Sequence, residues 1–89
     1  LTQNVHLILG HAYMDLQKVE FAARSYLEAY SINENSEIAP VALYNLALAF
    51  HKMGNVKEGC LTLDEVKFRY NRAEIVADVV QAEADLACT

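Results

Sequence analysis

Leu9-Gly10-His11-Ala12-Tyr13 returns 37 residues further on as Leu46-Ala47-Leu48-Ala49-Phe50. Both stretches keep the order of a large aliphatic residue, a small one, a free position, a second small one and an aromatic. The correspondence continues at the same offset, where Tyr26, Glu28 and Ala29 fall on Leu63, Glu65 and Val66. Self-similarity at a fixed period of this size marks a repeated supersecondary unit. The steric logic is that Gly10 and Ala47 let the two helices of a hairpin approach closely while Tyr13 and Phe50 fill the space beside them. Ala22 and Gly59 take the matching small position on the second helix of each pair, opposed by Tyr26 and Leu63.

Apolar spacing extends this to five helical segments. Intervals of three and four link Val5, Leu9, Ala12 and Tyr13, and then Phe21, Ala22, Tyr26, Ala29 and Tyr30. The same rhythm links Ala42, Leu43, Leu46, Ala49 and Phe50, then Cys60, Leu63, Val66 and Tyr70, and last Ile75, Val79, Ala82 and Leu86. No segment shows a convincing period of two. Asn55 with Glu58 and Asn71 with Glu74 have the form of helix-starting capping pairs. Gly54 suits the left-handed residue that closes the preceding helix, and Pro40 belongs in a first turn, where its missing N–H costs nothing. The third helix is therefore expected to start between Ser36 and Pro40. The resulting division is one domain: a first repeat at 1–35, a second at 36–71 and a capping helix at 72–89, from about Arg72 to Ala87. In the cap, Ile75, Val79, Ala82 and Leu86 are expected to cover the second pair, with Asp78, Glu83 and Asp85 facing water.

The 89 residues are 54% hydrophobic, with three Gly and one Pro, which is enough to fold one small core. A core of this size is marginal without a staple or a stacked neighbour. The net charge of -5 comes from twelve acids against seven bases. Lys18, Arg24, Lys52, Lys57, Lys67, Arg69 and Arg72 are dispersed, so no phosphate-tracking stripe can be built and nucleic acid is not an expected partner. The longest apolar run, residues 41–50, is interrupted by Asn45 and too short to cross a bilayer, so membrane insertion is not expected. The chain opens at Leu1 without Met and runs straight into a helical pattern, which reads as a piece of a longer protein.

The residues Leu9, Gly10, Tyr13, Ala22, Tyr26 and Ala29 resemble the tetratricopeptide-repeat signature, and Leu43-Tyr44-Asn45-Leu46-Ala47 is similar to its first-helix consensus. The resemblance implies an all-α fold of helical hairpin repeats, two of them with a C-terminal capping helix, wound as a right-handed α-solenoid. Ser36-x-x-Ala39-Pro40, the Cys60-x-x-Leu63-x-x-Val66 series, Arg69-Tyr70 and a terminal helix closing on Leu86-x-Cys88 resemble one subgroup more narrowly. That subgroup is the C-terminal domain of the Tol-Pal-associated periplasmic proteins of Gram-negative bacteria, the YbgF or CpoB family. It implies a periplasmic location, a TolA-like protein partner, and a role in coordinating peptidoglycan synthesis with envelope constriction during division. Two other readings stand beside it, a cytosolic tetratricopeptide adaptor and a structural repeat of a larger solenoid.

In stacked repeats the first helices line the inner wall. Leu7, His11, Met14 and Asp15 on the first helix, and Tyr44, Asn45, Leu48, His51 and Lys52 on the third, are therefore the candidate protein-binding or peptide-binding residues. No nucleophile elbow, phosphate loop or carboxylate pair points to an enzyme, and neither a cofactor nor a small-molecule substrate is expected. A chaperone-tail clamp would need clustered Lys or Arg around Asn, whereas Lys52 and Asn45 stand nearly alone. His6 and His11 point to different sides of one helix, and no Cys or carboxylate stands at a recognisable ligand spacing from the histidines, so no metal site is expected. Cys60 and Cys88 are either unrelated core residues or a disulfide, since antiparallel fourth and fifth helices would bring them to the same end. The oxidising compartment implied by the resemblance favours the disulfide.

Overall fold

A computed structural model describes residues 2–88, so the first and last positions of the sequence-based division, Leu1 and Thr89, lie outside the described residues. The described chain is all-helical: α1 (Gln3–Asp15), α2 (Val19–Ile32), α3 (Ile38–Lys52), α4 (Val56–Arg69) and α5 (Val76–Asp85). Each helix packs on its successor in chain order, and α1 also touches α3. Helices of 10 to 15 residues are marginal in isolation. Their apolar faces meet in one core in which Tyr26, Leu63, Val66 and Val79 are fully buried, joined by Leu43, Leu46, Ala47 and Ala49 of α3.

The turns after α1 and α3 have the same backbone. Gln17 (φ 63) and Gly54 (φ 88) are both left-handed. Lys18 N donates to Tyr13 O and Asn55 N to Phe50 O, each at 2.9 Å, while Gln17 N reaches Met14 O and Gly54 N reaches His51 O at 3.0 Å. These are Schellman closures, which satisfy carbonyls that the end of a helix leaves open. Ala87 (φ 55) repeats the device after α5, with Cys88 N on Glu83 O at 2.9 Å.

Close approach within the first hairpin rests on Gly10. A Cβ there would collide with the Tyr26 ring, which is only 1% exposed and has nowhere to go. In the second hairpin the tight point is Gly59, whose bare Cα lies against the His51 ring and near Ala47 O.

Helix starts differ from the capping pairs read in the sequence. Thr2 caps α1 by accepting from Val5 N at 3.2 Å, and Ser36 Oγ accepts from Ile38 N and Ala39 N at 3.2 Å at the head of α3. Asn55 makes no side-chain cap. Its N–H is already committed to the Schellman turn, and its ψ of 68° lacks the extended geometry that Thr2 has at 162°. Asn71 and Glu74 start no helix either. Residues 71–75 form tight turns, with Ala73 N on Tyr70 O and Val76 N on Ala73 O, so α5 begins at Val76 rather than at Arg72 and ends at Asp85 rather than Ala87.

Two faces also depart from expectation. Val5 and Ala12 of α1 and Phe21 of α2 are exposed, because no helix among the described residues covers that side of α1. Phe21 instead lies against Tyr13, with ring centroids 5.5 Å apart. On α5, Glu83 turns away from open water and pairs with Lys67 at 2.7 Å.

The two hairpins are tied at one end by a cationic sandwich. The Arg69 guanidinium lies 5.8 Å from the Tyr30 ring centroid and 5.5 Å from that of Tyr70, pairs with Glu34 at 2.8 Å and donates to the Tyr30 hydroxyl. Tyr70 Oη donates to the Glu34 carbonyl at 2.6 Å. The hydrogen bond from Arg69 holds the Glu34 carboxyl below the usual carboxylate range, and burial pushes the Tyr30 phenol well above its ordinary value.

Candidate protein-binding face

Eight of the nine candidate residues occupy equivalent positions on α1 and α3 at the repeat offset, Leu7 with Tyr44, His11 with Leu48, Met14 with His51 and Asp15 with Lys52, while Asn45 falls on Ile8. Their side chains meet different fates. Leu7, Met14, Tyr44 and Leu48 are half-buried against the core, while His11, Asp15 and Lys52 are exposed. The Asn45 amide is partly spent within its own helix, its Nδ2 donating to Val41 O at 2.9 Å. His11 Nδ1 shares a hydrogen bond of 2.7 Å with Tyr26 Oη, with the two rings edge-on. Burial, with a further contribution from the Asp15 carboxylate, pushes the Tyr26 phenol up to about 12.

Along α3 the face continues onto α5 rather than onto α1 alone. Tyr44 and Leu48 form one wall of a shallow groove of about 220 Å³ whose other wall is Asp78, Gln81, Ala82, Asp85 and Leu86. The floor is apolar and two carboxylates stand on its rim. Burial raises the Tyr44 phenol, and the charges of Asp78 and Asp85 add to the shift. These α5 residues were absent from the sequence-based set, because α5 does not follow the repeat pattern and its packing angle leaves no signal in spacing.

His51 does not stand free on this wall. Its imidazole turns towards the start of α4, with Nε2 3.6 Å from Cys60 Sγ and 3.9 Å from Cys88 Sγ. Cys60 and Cys88 are joined as a disulfide, their Cα atoms 5.5 Å apart, which fastens the segment after α5 to the start of α4. A histidine with two cysteines is a metal-ligating set that the sequence reading did not assemble, since the residues are 9 and 37 positions apart and form no local motif.

The groove is open, its polar groups are two carboxylates, the Gln81 amide and the Tyr44 hydroxyl, and the rest of its lining is aliphatic and aromatic carbon. No protein-family model, no curated protein and no solved structure matches the chain.

Proposed function

We propose that this chain is a non-catalytic protein-interaction module made of two tetratricopeptide-like hairpins and a capping helix in a right-handed solenoid. Its bound segment lies along α3 and α5. The observation that carries this reading is the Tyr44, Leu48 and Leu86 strip between Asp78 and Asp85. An apolar floor with an acidic rim suits an extended or helical peptide that presents an aliphatic anchor flanked by Lys or Arg. The paired Gln17 and Gly54 turns support the repeat reading, because two hairpins closed in the same way at the same offset suit one duplicated unit.

The family resemblance suggests a periplasmic adaptor with a TolA-like partner, acting where envelope constriction is coordinated with peptidoglycan synthesis. A disulfide is in keeping with an oxidising compartment and favours this over a cytosolic adaptor. A structural repeat of a larger solenoid is the second reading. The exposed Val5, Ile8 and Ala12 favour it, since the α3 positions matching Val5 and Ala12, Ala42 and Ala49, are fully buried.

Titration calorimetry with a TolA domain tests the proposal. Tyr44→Ala is expected to weaken binding by about 1 to 2 kcal/mol, as truncation of an aromatic anchor does, and Asp78→Asn with Asp85→Asn to reduce its salt dependence. Unchanged affinity in both variants would remove this groove as the binding site.

A further inference from the structure

His51, Cys60 and Cys88 come from three separate places in the fold: the last turn of α3, the start of α4 and the turn after α5. Their donor atoms all lie within 4.8 Å of one another. A metal held by sulfur needs thiolates, and the disulfide withholds both. We propose that this corner is a redox-gated zinc site, closed while the disulfide is intact. Once a dithiol reductant opens it, the two thiolates and His51 Nε2 bind one Zn²⁺ with water as the fourth ligand.

The geometry is close to what zinc requires. Tetrahedral Zn²⁺ with Zn–S of about 2.3 Å and Zn–N of about 2.0 to 2.1 Å has N···S edges of about 3.6 Å and an S···S edge of about 3.8 Å. The two N···S edges already stand at 3.6 and 3.9 Å. Only the sulfurs must part. Gly59 makes the arrangement possible, because a Cβ there would collide with His51 Cδ2 and sit 2.8 Å from Nε2, forcing the imidazole away from the sulfurs. Two soft sulfurs and an imidazole form a donor set that favours zinc over magnesium or calcium. All three residues are half-buried, so a reductant and an ion can both reach them.

The chemistry balances. The incoming dithiol breaks the Cys60–Cys88 bond by exchange, delivers two electrons and two protons, and leaves as its own disulfide. Zinc then displaces the two thiol protons. In the reverse direction hydrogen peroxide takes two electrons from the thiolates and, with two protons from solvent, becomes two molecules of water. The S–S bond re-forms and Zn²⁺ is released. The metal thus replaces the covalent tie between α4 and the segment after α5 when the disulfide is lost, and adds α3 to it through His51. This site stands apart from the partner-binding reading and survives its failure.

The test is a Co²⁺ titration of the intact chain, reduced with a phosphine under argon, with the oxidised chain as its control. The reduced chain is expected to show thiolate-to-cobalt charge transfer and tetrahedral d–d bands that saturate at one equivalent and vanish on adding Zn²⁺. The oxidised chain should show neither. His51→Ala is expected to weaken the reduced site at least about tenfold, the scale on which even outer-shell partners act. Nitrogen NMR should show the His51 imidazole moving with Zn²⁺ while His6 and His11 stay. Circular dichroism in the same titration guards against binding to an unfolded dithiol, and zinc should raise the melting temperature of the reduced chain. Absent charge transfer, equal affinity in His51→Ala, an unmoved His51 nitrogen or an unchanged melting temperature would each overturn the proposal.

Discussion

The first hairpin, α1 with α2, and the second, α3 with α4, share a turn and a small-against-large interlock, yet they bury very different amounts of their first helix. Of α1 only Gly10 is buried, whereas α3 buries Ala39, Pro40, Ala42, Leu43, Leu46, Ala47 and Ala49. Part of the difference is sequence, since Thr2, Gln3 and His6 stand where α3 has Ala39, Pro40 and Leu43. The rest lies in neighbours: α3 is packed between α2 and α4, and among the described residues no helix covers the far flank of α1. In stacked helical units burial is a property of the interface between units, not of the unit. Each hairpin accordingly has its own fastening. The first is held by hydrogen bonds, His11 to Tyr26 and Gln3 Nε2 to Ala29 O and Asn33 O at 2.8 Å. The second is held by a covalent bond to the segment after α5.

The sharpest way to break this contrast is to remove the covalent fastening. The disulfide closes a separation of 28 residues, for which chain entropy assigns about 3 to 4 kcal/mol. Cys60→Ser is expected to lower stability by that amount, a large share of what a domain of this size has. Denaturant unfolding followed by circular dichroism checks it, with reductant added to the parent as a second arm. A loss below about 1 kcal/mol would mean that packing alone holds α5.

Next in size is the interlock itself. Gly10→Ala drives a methyl into a Tyr26 ring that is walled in on every side. Overpacking of about 1 to 3 kcal/mol outweighs the gain of up to about 1 kcal/mol from a better helix former. A net destabilisation of about 1 to 2 kcal/mol is expected. Gly59→Ala meets a half-buried His51 ring that can swing outwards, so its net cost should be smaller, under about 1 kcal/mol. Parallel melts of the two variants measure the difference, and equal costs would show that the two crossings are equally rigid.

The helices were legible because the order of small and large residues recurs in the sequence, with Gly10 marking the close approach of α1 to α2. In the second hairpin the close approach moves to Gly59 against His51, which the offset alone does not give. Gly54 announces its own left-handed turn. Gln17 and Ala87 adopt the same backbone with nothing in their side chains to signal it. The Asn55 and Asn71 caps misled for a related reason: an Asn can cap only when its backbone is extended, and that is decided by the turn before it. The candidate face was half legible. Its positions on α1 and α3 follow from the repeat offset in the sequence. The α5 rim of Asp78 and Asp85 and the turn of His51 towards the sulfurs depend on how a non-repeating helix docks, which no periodicity encodes.

A smaller effect separates the fastenings by pH. Tyr26→Phe removes the bond to His11 and should cost about 1 kcal/mol at neutral pH. The fold keeps this phenol neutral up to about 12, while the unfolded chain ionises it near its ordinary value of 10.0. The contribution is therefore complete below that ordinary value and lost as pH rises from there towards 12. The gap between parent and variant should narrow, close and then reverse in denaturant curves taken at increasing alkaline pH, because each pH unit in that window removes up to about 1.4 kcal/mol from the parent. Tyr44, raised in the same direction, leaves a residual alkaline loss in the variant.

The finest distinction is between Gln17 and Gly54, which hold the same turn with unlike residues. A side chain at φ 63 crowds its own backbone, and glycine there does not. Gln17→Gly should therefore stabilise the first hairpin by about 0.5 to 1 kcal/mol, less the extra freedom glycine gives the unfolded chain. Gly54→Ala should destabilise the second by a similar amount, although space around Gly54 is open and no contact is lost. The two substitutions thus exchange the hairpins' turn chemistry without touching the core. If hydrogen exchange of the Lys18 and Asn55 amides, which close the two turns, responds in opposite directions, the turns are independent local units. If both respond together, the hairpins open as one.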